Sequence, residues 1–294
     1  MGAGDSSDTR FSSFTSVQAG SYSVRGISVG GVYTTLQVPE LSLLLDVGLP
    51  LRAFCASDHI FLSHGHVDHM GGILGLLGVR GMMMKPALPR VYLPAEIEAD
   101  LLALLASASR MQRYELAVET VPLRNGDERL VANNLWVRAF RTHHPVPSLG
   151  FQFFRRVNKL KPEFLALPGP EIAARKARGE DLFVESERLE LCYATDTLLR
   201  ILDTNPSMLQ SRVLILECTF YDERKSLAET HAGCHVHLDE IVAAAERFEN
   251  EHLVLMHTSQ IYSPREAREI LARRLPKALH ERVVLFAPER GPWL

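Results

Sequence analysis

The chain reads as an α/β protein in which two β-sheets pack face to face with helices on the outside. Three observations predict this. Short strand-like runs alternate with amphipathic helical stretches, and the sequence passes through that alternation twice. Hydrophobic residues make up 46% of 294 residues, enough for one large core or two modest ones, yet no 18-residue apolar stretch offers a membrane span. Finally, His and Asp residues sit where predicted strands end, which is where α/β folds assemble their sites.

The first 19 residues are polar, rich in Ser and Gly and without an apolar run, so 1–19 is expected to be a disordered tail. The folded domain then covers 20–294. Strands are expected at 23–29, 32–38, 42–47 and 59–62, interrupted by Gly, Asp and Pro. A helix starts within the glycines after His69 and runs through 73–77, and 91–93 is a strand. Ile97, Leu101, Leu104, Leu105 and Ala108 fall at helical spacing, so 96–111 reads as an amphipathic helix. The second round has strands at 135–142, 150–154, 189–194 and 213–217, a helix at 238–249 and a strand at 253–256. A helix at 263–275 carries Pro264 at its start, and 283–286 is the last strand.

One segment, about 155–187, breaks the pattern with Pro162, Pro168-Gly169-Pro170 and a short helical patch at 171–178. From Phe153 to Glu180 it holds seven basic residues (Arg155, Arg156, Lys159, Lys161, Arg175, Lys176 and Arg178) against three acidic ones. It reads either as a solvated surface excursion or as a short basic arm that holds phosphates. The whole chain has net charge −3, so no global field draws nucleic acid, and RNA contact needs such a local patch. The four cysteines show no CxxC spacing and are expected to be reduced, in a cytoplasmic protein.

The densest chemistry lies in Leu62-Ser63-His64-Gly65-His66-Val67-Asp68-His69. Imidazole and carboxylate are the usual ligands of zinc and similar ions. In an extended segment His64 and His66 point the same way, while Asp68 and His69 lie beyond the turn. One ion could not easily use all four, whereas two neighbouring ions could. Further donors stand at predicted strand ends: His143-His144, Asp196 and His257.

With these residues in view, the chain resembles the metallo-β-lactamase superfamily and, within it, the ribonuclease Z (tRNase Z) family in its short, plant-like form. The histidine motif carries only the superfamily. The finer likeness rests on Asp46-Val47-Gly48, His144-Pro145-Val146-Pro147-Ser148-Leu149-Gly150-Phe151, Leu167-Pro168-Gly169-Pro170, Ala194-Thr195-Asp196-Thr197, Glu217-Cys218-Thr219-Phe220, His235-Val236-His237 and His257-Thr258-Ser259. The resemblance implies an αββα sandwich of two mixed β-sheets flanked by helices and a zinc-dependent endoribonuclease that removes the 3′ trailer from precursor tRNA. It implies two Zn²⁺ ions, with Mn²⁺ or another divalent ion as a substitute. His64, His66 and His144 would hold one, Asp68, His69 and His257 the other, with Asp196 bridging and Asp46 orienting a ligand imidazole. His144 is preferred to His143 because it opens the segment ending in Gly150-Phe151, and His59 reads as structural. Glu217 and His235 match the pair that protonates the departing oxygen, and Asp68 could take the proton of the attacking hydroxide. Ser148, His237 and the arm residues Arg155, Arg156, Lys159 and Lys161 are candidate substrate contacts. His237 could equally face the following helix. A homodimer without membrane association is implied as well. Ile261 stands where the family usually has a basic residue. The alternative reading is a phosphodiesterase of the same fold acting on small or cyclic nucleotides. Hydrolysis of lactones or β-lactams needs neither Glu217/His235 nor a basic arm.

Overall fold

A computed structural model of the chain describes residues 14–85, 87–289 and 291–293. The first sheet holds, in order, β1 (Thr15–Ala19), β2 (Tyr22–Gly30), β3 (Tyr33–Val38), β4 (Leu43–Leu45), β5 (His59–Phe61), β6 (Arg90–Pro94) and β7 (Glu119–Leu123). The second runs β8 (Glu128–Ala132), β9 (Leu135–Arg141), β10 (Leu149–Leu160), β11 (Phe183–Ala194), β12 (Val213–Glu217), β13 (His252–Met256) and finally β15 (Val283–Leu285). A two-residue strand, β14 (Thr258–Ser259), crosses over to pair with β2 and ties the two sheets at the end of β13. Both sheets are mixed, as the resemblance implies.

The sheets face each other across an apolar layer. Phe61 stacks on Tyr92 at 4.2 Å and meets Phe151 and Phe153 of the opposite sheet edge-on at 5.2 and 4.9 Å. Outside the first sheet lie α1 (Val67–Met70), α2 (Ile73–Met82) and α3 (Glu98–Gln112), the last two burying Ile73, Leu76, Leu101 and Leu105 on Leu44, Ile60 and Val91. The arm carries α4 (Gly169–Ala177). Outside the second sheet lie α5 (Ile201–Thr204), α6 (Leu227–Ala232), α7 (Leu238–Ala243), α8 (Pro264–Arg274) and α9 (Lys277–His280). Leu238, Ile241, Ile270 and Leu271 pack there on the outer face of β12 and β13. Strands such as β12 are covered on both faces, so they read as continuous apolar runs.

Two expectations change. Residues 1–13 of the expected tail lie outside the described residues, but Thr15–Ala19 is a strand paired with β2. Ala19 is fully buried, and Gly20, at φ +59°, makes the tight return that an L-residue resists. The helix expected at 238–249 ends at Ala243 and continues as a 3₁₀ turn, Ala245–Arg247.

The arm is the outer half of the β10–β11 hairpin, which continues past the part of β11 that pairs with β12. It leaves from the start of β11 and the end of β10, the end of the sheet opposite Asp196. Its charge is more balanced than the count to Glu180 suggests. Adding the returning strand brings in Asp181, Glu185, Glu187 and Glu190, so residues 155–190 hold eight basic and seven acidic residues.

Among the described residues, no helix is long and apolar enough to cross a membrane.

Candidate metal centre

Every predicted donor except those in the loop after β5 follows directly or within three residues on a strand end. Asp46 follows β4, Asp196 follows β11 after one residue, and His257 follows β13. All three adopt left-handed backbone, with φ of 56°, 42° and 63°. Such a conformation costs a non-glycine residue on the order of 1–2 kcal/mol and turns the side chain out of the pleat into the cleft. His66 caps α1, so Asp68 and His69 ride on a helical turn that begins before the glycines, earlier than expected. Close packing makes this possible: Val47 N–H donates to the His69 carbonyl at 2.6 Å, and a Cβ on Gly48 would lie 2.0 Å from the Asp68 carbonyl oxygen.

Two buried carboxylates set the imidazole tautomers. Asp46 Oδ2 accepts from Ser63 Oγ at 2.8 Å, His69 Nδ1 at 2.8 Å and the Tyr193 hydroxyl at 2.6 Å. His69 therefore carries a proton on Nδ1 and turns Nε2 into the cleft. Ser63 has one proton, already given to Asp46, so at 2.9 Å from Ser63 Oγ the His64 Nδ1 must be the donor. His64 Nε2 is bare in turn. Glu217 repeats the device: Thr219 Oγ1 donates to its Oε2 at 2.6 Å, which obliges His257 Nδ1 to donate to Thr219 at 3.0 Å. Carboxylate, hydroxyl and imidazole in series fix ligand orientation and basicity in metal sites.

The bare nitrogens converge. His64 Nε2, His66 Nδ1 and His144 Nε2 lie 3.1 Å apart in sequence, and Asp196 Oδ2 is 3.6 Å from His64 and 3.9 Å from His144. Ligand atoms around a tetrahedral ion at ~2.0–2.1 Å stand about 3.4 Å apart. Asp196 Oδ1 turns the other way, 3.3 Å from both His69 Nε2 and His257 Nε2, with Asp68 Oδ2 3.6 Å from His69. His69 Nε2 and His257 Nε2 are buried without a hydrogen-bond partner. Buried orphan lone pairs aimed at one point fit a cation. Burial and neighbouring imidazoles push His64 well down, and burial takes His144 down to about 4, so both are neutral donors. His69 runs the other way: burial opposes its charge, but Asp196 and Asp46 hold it well above its ordinary value, so a cation bound there must displace a proton. Burial would raise Asp196, yet His257 and His69 keep it well below the carboxylate range.

His235 stands apart in protonation. Burial disfavours its charge, but Glu217, fully buried and 3.1 Å from Nδ1, raises the imidazole to about 9. It lies near Asp196 and His257, its ring 5.3 Å from that of His257. An imidazole that keeps its proton at neutral pH is a poor ligand and a ready acid.

Residues 42–258 match the beta-lactamase superfamily domain. The chain is 33% identical over 279 residues to tRNase Z TRZ1 of Arabidopsis thaliana, covering 94% of this chain and 98% of that one. The chain belongs to the tRNase Z family. It is also 34% identical over 261 residues to the chloroplastic tRNase Z TRZ2 of the same plant, covering 87% of this chain and 73% of the relative. The fold matches the crystal structure of human tRNase Z, short form, with a TM-score of 0.55 at 17% identity over 80% of this chain and 92% of that one.

Other expected contacts are placed elsewhere. His143 does not join the cluster; its Nε2 faces Thr204 Oγ1 at 3.2 Å, and burial, with the charges of Arg200 and Arg141, lowers its pKa. His237 caps α7: its Nδ1 accepts from Asp239 N–H at 3.1 Å and its Nε2 donates to the Asp222 carbonyl at 3.2 Å. Ser148 is buried, its hydroxyl on Thr142 and its backbone bridged to His64, so it fixes the loop carrying His144. Arg155 pairs with Glu190 at 3.4 Å, Arg156 with Glu128 at 2.9 Å and Lys161 with Asp181 at 2.7 Å. Of these four arm residues only Lys159 has no ion pair among the described residues. Ile261, where tRNase Z proteins usually carry a basic residue, is exposed, and the Arg224 guanidinium reaches its carbonyl at 3.3 Å while paired with Asp222 and Glu266. Sequence reasoning missed Ser63, Tyr193 and Thr219. Ser63 and Thr219 were findable as hydroxyls within two residues of His64 and Glu217; Tyr193 comes from the opposite sheet and left no local signal.

Proposed function

We propose that this chain is a metal-dependent endoribonuclease that removes the 3′ trailer from precursor tRNA. The single observation that carries the reading is the pairing of a divided cluster of seven donors with His235, which stands beside it on the buried Glu217 carboxylate. His64, His66 and His144 would hold one ion, Asp68, His69 and His257 the other, and Asp196 both; zinc suits this nitrogen-rich set. When bound, such cations would lower the pKa of a water ligand from about 15.7 toward neutrality and offset the charge of the phosphate oxygens. The protein's own groups do the rest. Asp46 and Glu217 hold the imidazoles in the ligating tautomer. Asp68, on the half-exposed turn of α1, is placed to accept the proton of the attacking water. His235 gives its proton to the departing 3′ oxygen, and Glu217 stabilises the imidazole in both states. The products are a tRNA ending in a 3′ hydroxyl and a trailer beginning with a 5′ phosphate.

Relatives named tRNase Z that match nearly the whole chain favour RNA over the small-nucleotide alternative. Unpaired cysteines suit a reducing compartment such as the cytoplasm. The test is a rate comparison of the metal-loaded protein on precursor tRNA, a cyclic nucleotide and bis(p-nitrophenyl) phosphate. Preferred cleavage of precursor tRNA at the trailer junction, abolished by chelator, is expected. Turnover of the small esters with no cleavage of tRNA would install the phosphodiesterase instead.

A further inference from the structure

Two arginines stand beside the cluster without a role in it. Arg141 closes β9 two residues before His143, and Arg200 follows the turn that carries Asp196. The same two strand ends that deliver His144 and Asp196 thus deliver two guanidinium groups. Together with His143, His144, Leu198 and Cys234 they line a cavity of about 510 Å³ that opens next to the metal centre. Arg141 also borders a second cavity of about 450 Å³, on the far side of Pro145, which reaches Asn125 and Ser148. Both volumes fall in the range of small-ligand sites, roughly 300–1,000 Å³.

The two guanidiniums are exposed, and among the described residues neither has a carboxylate or hydrogen-bond partner. Their neighbour Arg124 is taken up by Glu96 at 3.4 Å, and the arm arginines by the glutamates opposite them. The backbone of Arg141 is fixed, its N–H donating to Asn125 Oδ1 at 2.9 Å, so the free charge is presented from a rigid strand end. A nucleic-acid strand crossing the cluster carries one negative charge per nucleotide. The metal centre deals with the reacting phosphate only, and the next one along must meet something else.

We propose that Arg141 and Arg200 form a second phosphate subsite, which binds the backbone phosphate adjacent to the scissile one through charge-assisted hydrogen bonds. The site thereby selects a chain of nucleotides over an isolated phosphodiester. This rests on the proposed phosphodiesterase chemistry of the cluster and extends it to substrate class.

The test compares the metal-loaded parent with the R141A/R200A double variant on a dinucleoside monophosphate and on the trinucleotide that adds one phosphodiester. The parent should prefer the trinucleotide in kcat/KM. The double variant should lose about 10- to 100-fold of that preference, the worth of a charged hydrogen bond or two. The salt dependence of log KM for a single-stranded oligonucleotide should flatten by about 0.7, the slope of one phosphate contact. The single variant R200K should keep part of the preference. No preference in the parent, an unchanged preference and slope in the double variant, or equal losses on both substrates would each overturn the subsite. A parent that prefers the trinucleotide through these arginines but never cuts precursor tRNA would leave the subsite standing and remove the tRNA reading.

Discussion

Thr219 links the two halves of the chemistry, because its single hydroxyl proton goes to Glu217 and its lone pair receives His257. Thr219→Val keeps the shape and removes the relay. It should weaken one of the two metal sites by about 10- to 100-fold, the usual effect of losing an orienting partner, and leave the other intact. A chelator-competition titration reads this directly; two unchanged affinities would dismiss the relay. His235→Ala should cost about 100- to 10,000-fold on RNA while both metals stay bound. The loss should be far smaller on bis(p-nitrophenyl) phosphate, whose leaving group needs no proton, and equal losses on both would remove His235 as the acid. The sign of the pH effect follows: His235 works protonated, so RNA cleavage should decline as pH rises through its pKa, at or below about 9 with cations nearby, and this limb should be missing with the nitrophenyl ester. At this scale the clustered donors were legible because metal chemistry restricts side-chain type. The left-handed backbone of Asp46, Asp196 and His257 was not, since those residues adopt it only where strand ends and cleft require it.

At the scale of elements, β10 and β11 decide how the arm is read. Arg156 pairs with Glu128 and lies 3.9 Å over the Trp136 ring, tying the base of the arm to β8 and β9. Arg156→Ala should cost about 1–2 kcal/mol in urea denaturation, from a partly exposed ion pair plus a cation–π contact. Lys159→Ala should fall within about 0.5 kcal/mol. Comparable values for the two would mean that the pairing at the base does not stabilise the arm. The arm's position in the chain was legible from its prolines, and α4 forms within one or two residues of the expected patch. Its balanced charge was not, because the compensating carboxylates arrive on the returning strand and on β8. The missed β8 did leave a signal: Asn133 and Asn134, at φ 44° and 60°, are the residues of a tight two-residue hairpin. At β1, Gly20-Ser21 marks the same kind of return.

At the scale of the molecule, the metal centre joins the two sheets. His64, His66, Asp68 and His69 follow the first sheet's β5, whereas His144, Asp196 and His257 follow strands of the second. Cations bound there should act as a staple, adding about 2.7 kcal/mol at a hundredfold excess over the dissociation constant. Elemental analysis should find close to two equivalents per chain, and chelation should lower the melting temperature by a few degrees. His69→Ala and His257→Ala should each drop one equivalent; retention of both, or a single equivalent in the parent, would contradict the divided cluster. The two-layer architecture was legible because strand and helix periods repeat twice. The cross-sheet contacts that unify the site, such as Tyr193 on Asp46, are long-range and have no sequence period.

Water should attack the phosphorus at the trailer junction with departure of the 3′ oxygen, and end-group mapping in ¹⁸O-labelled water reads both bonds. The expected products are tRNA with a free 3′ hydroxyl and a trailer whose 5′ phosphate carries one labelled oxygen. A 2′,3′-cyclic phosphate on the tRNA fragment, with unlabelled trailer, would show that the neighbouring 2′ hydroxyl is the nucleophile, and would contradict attack by water.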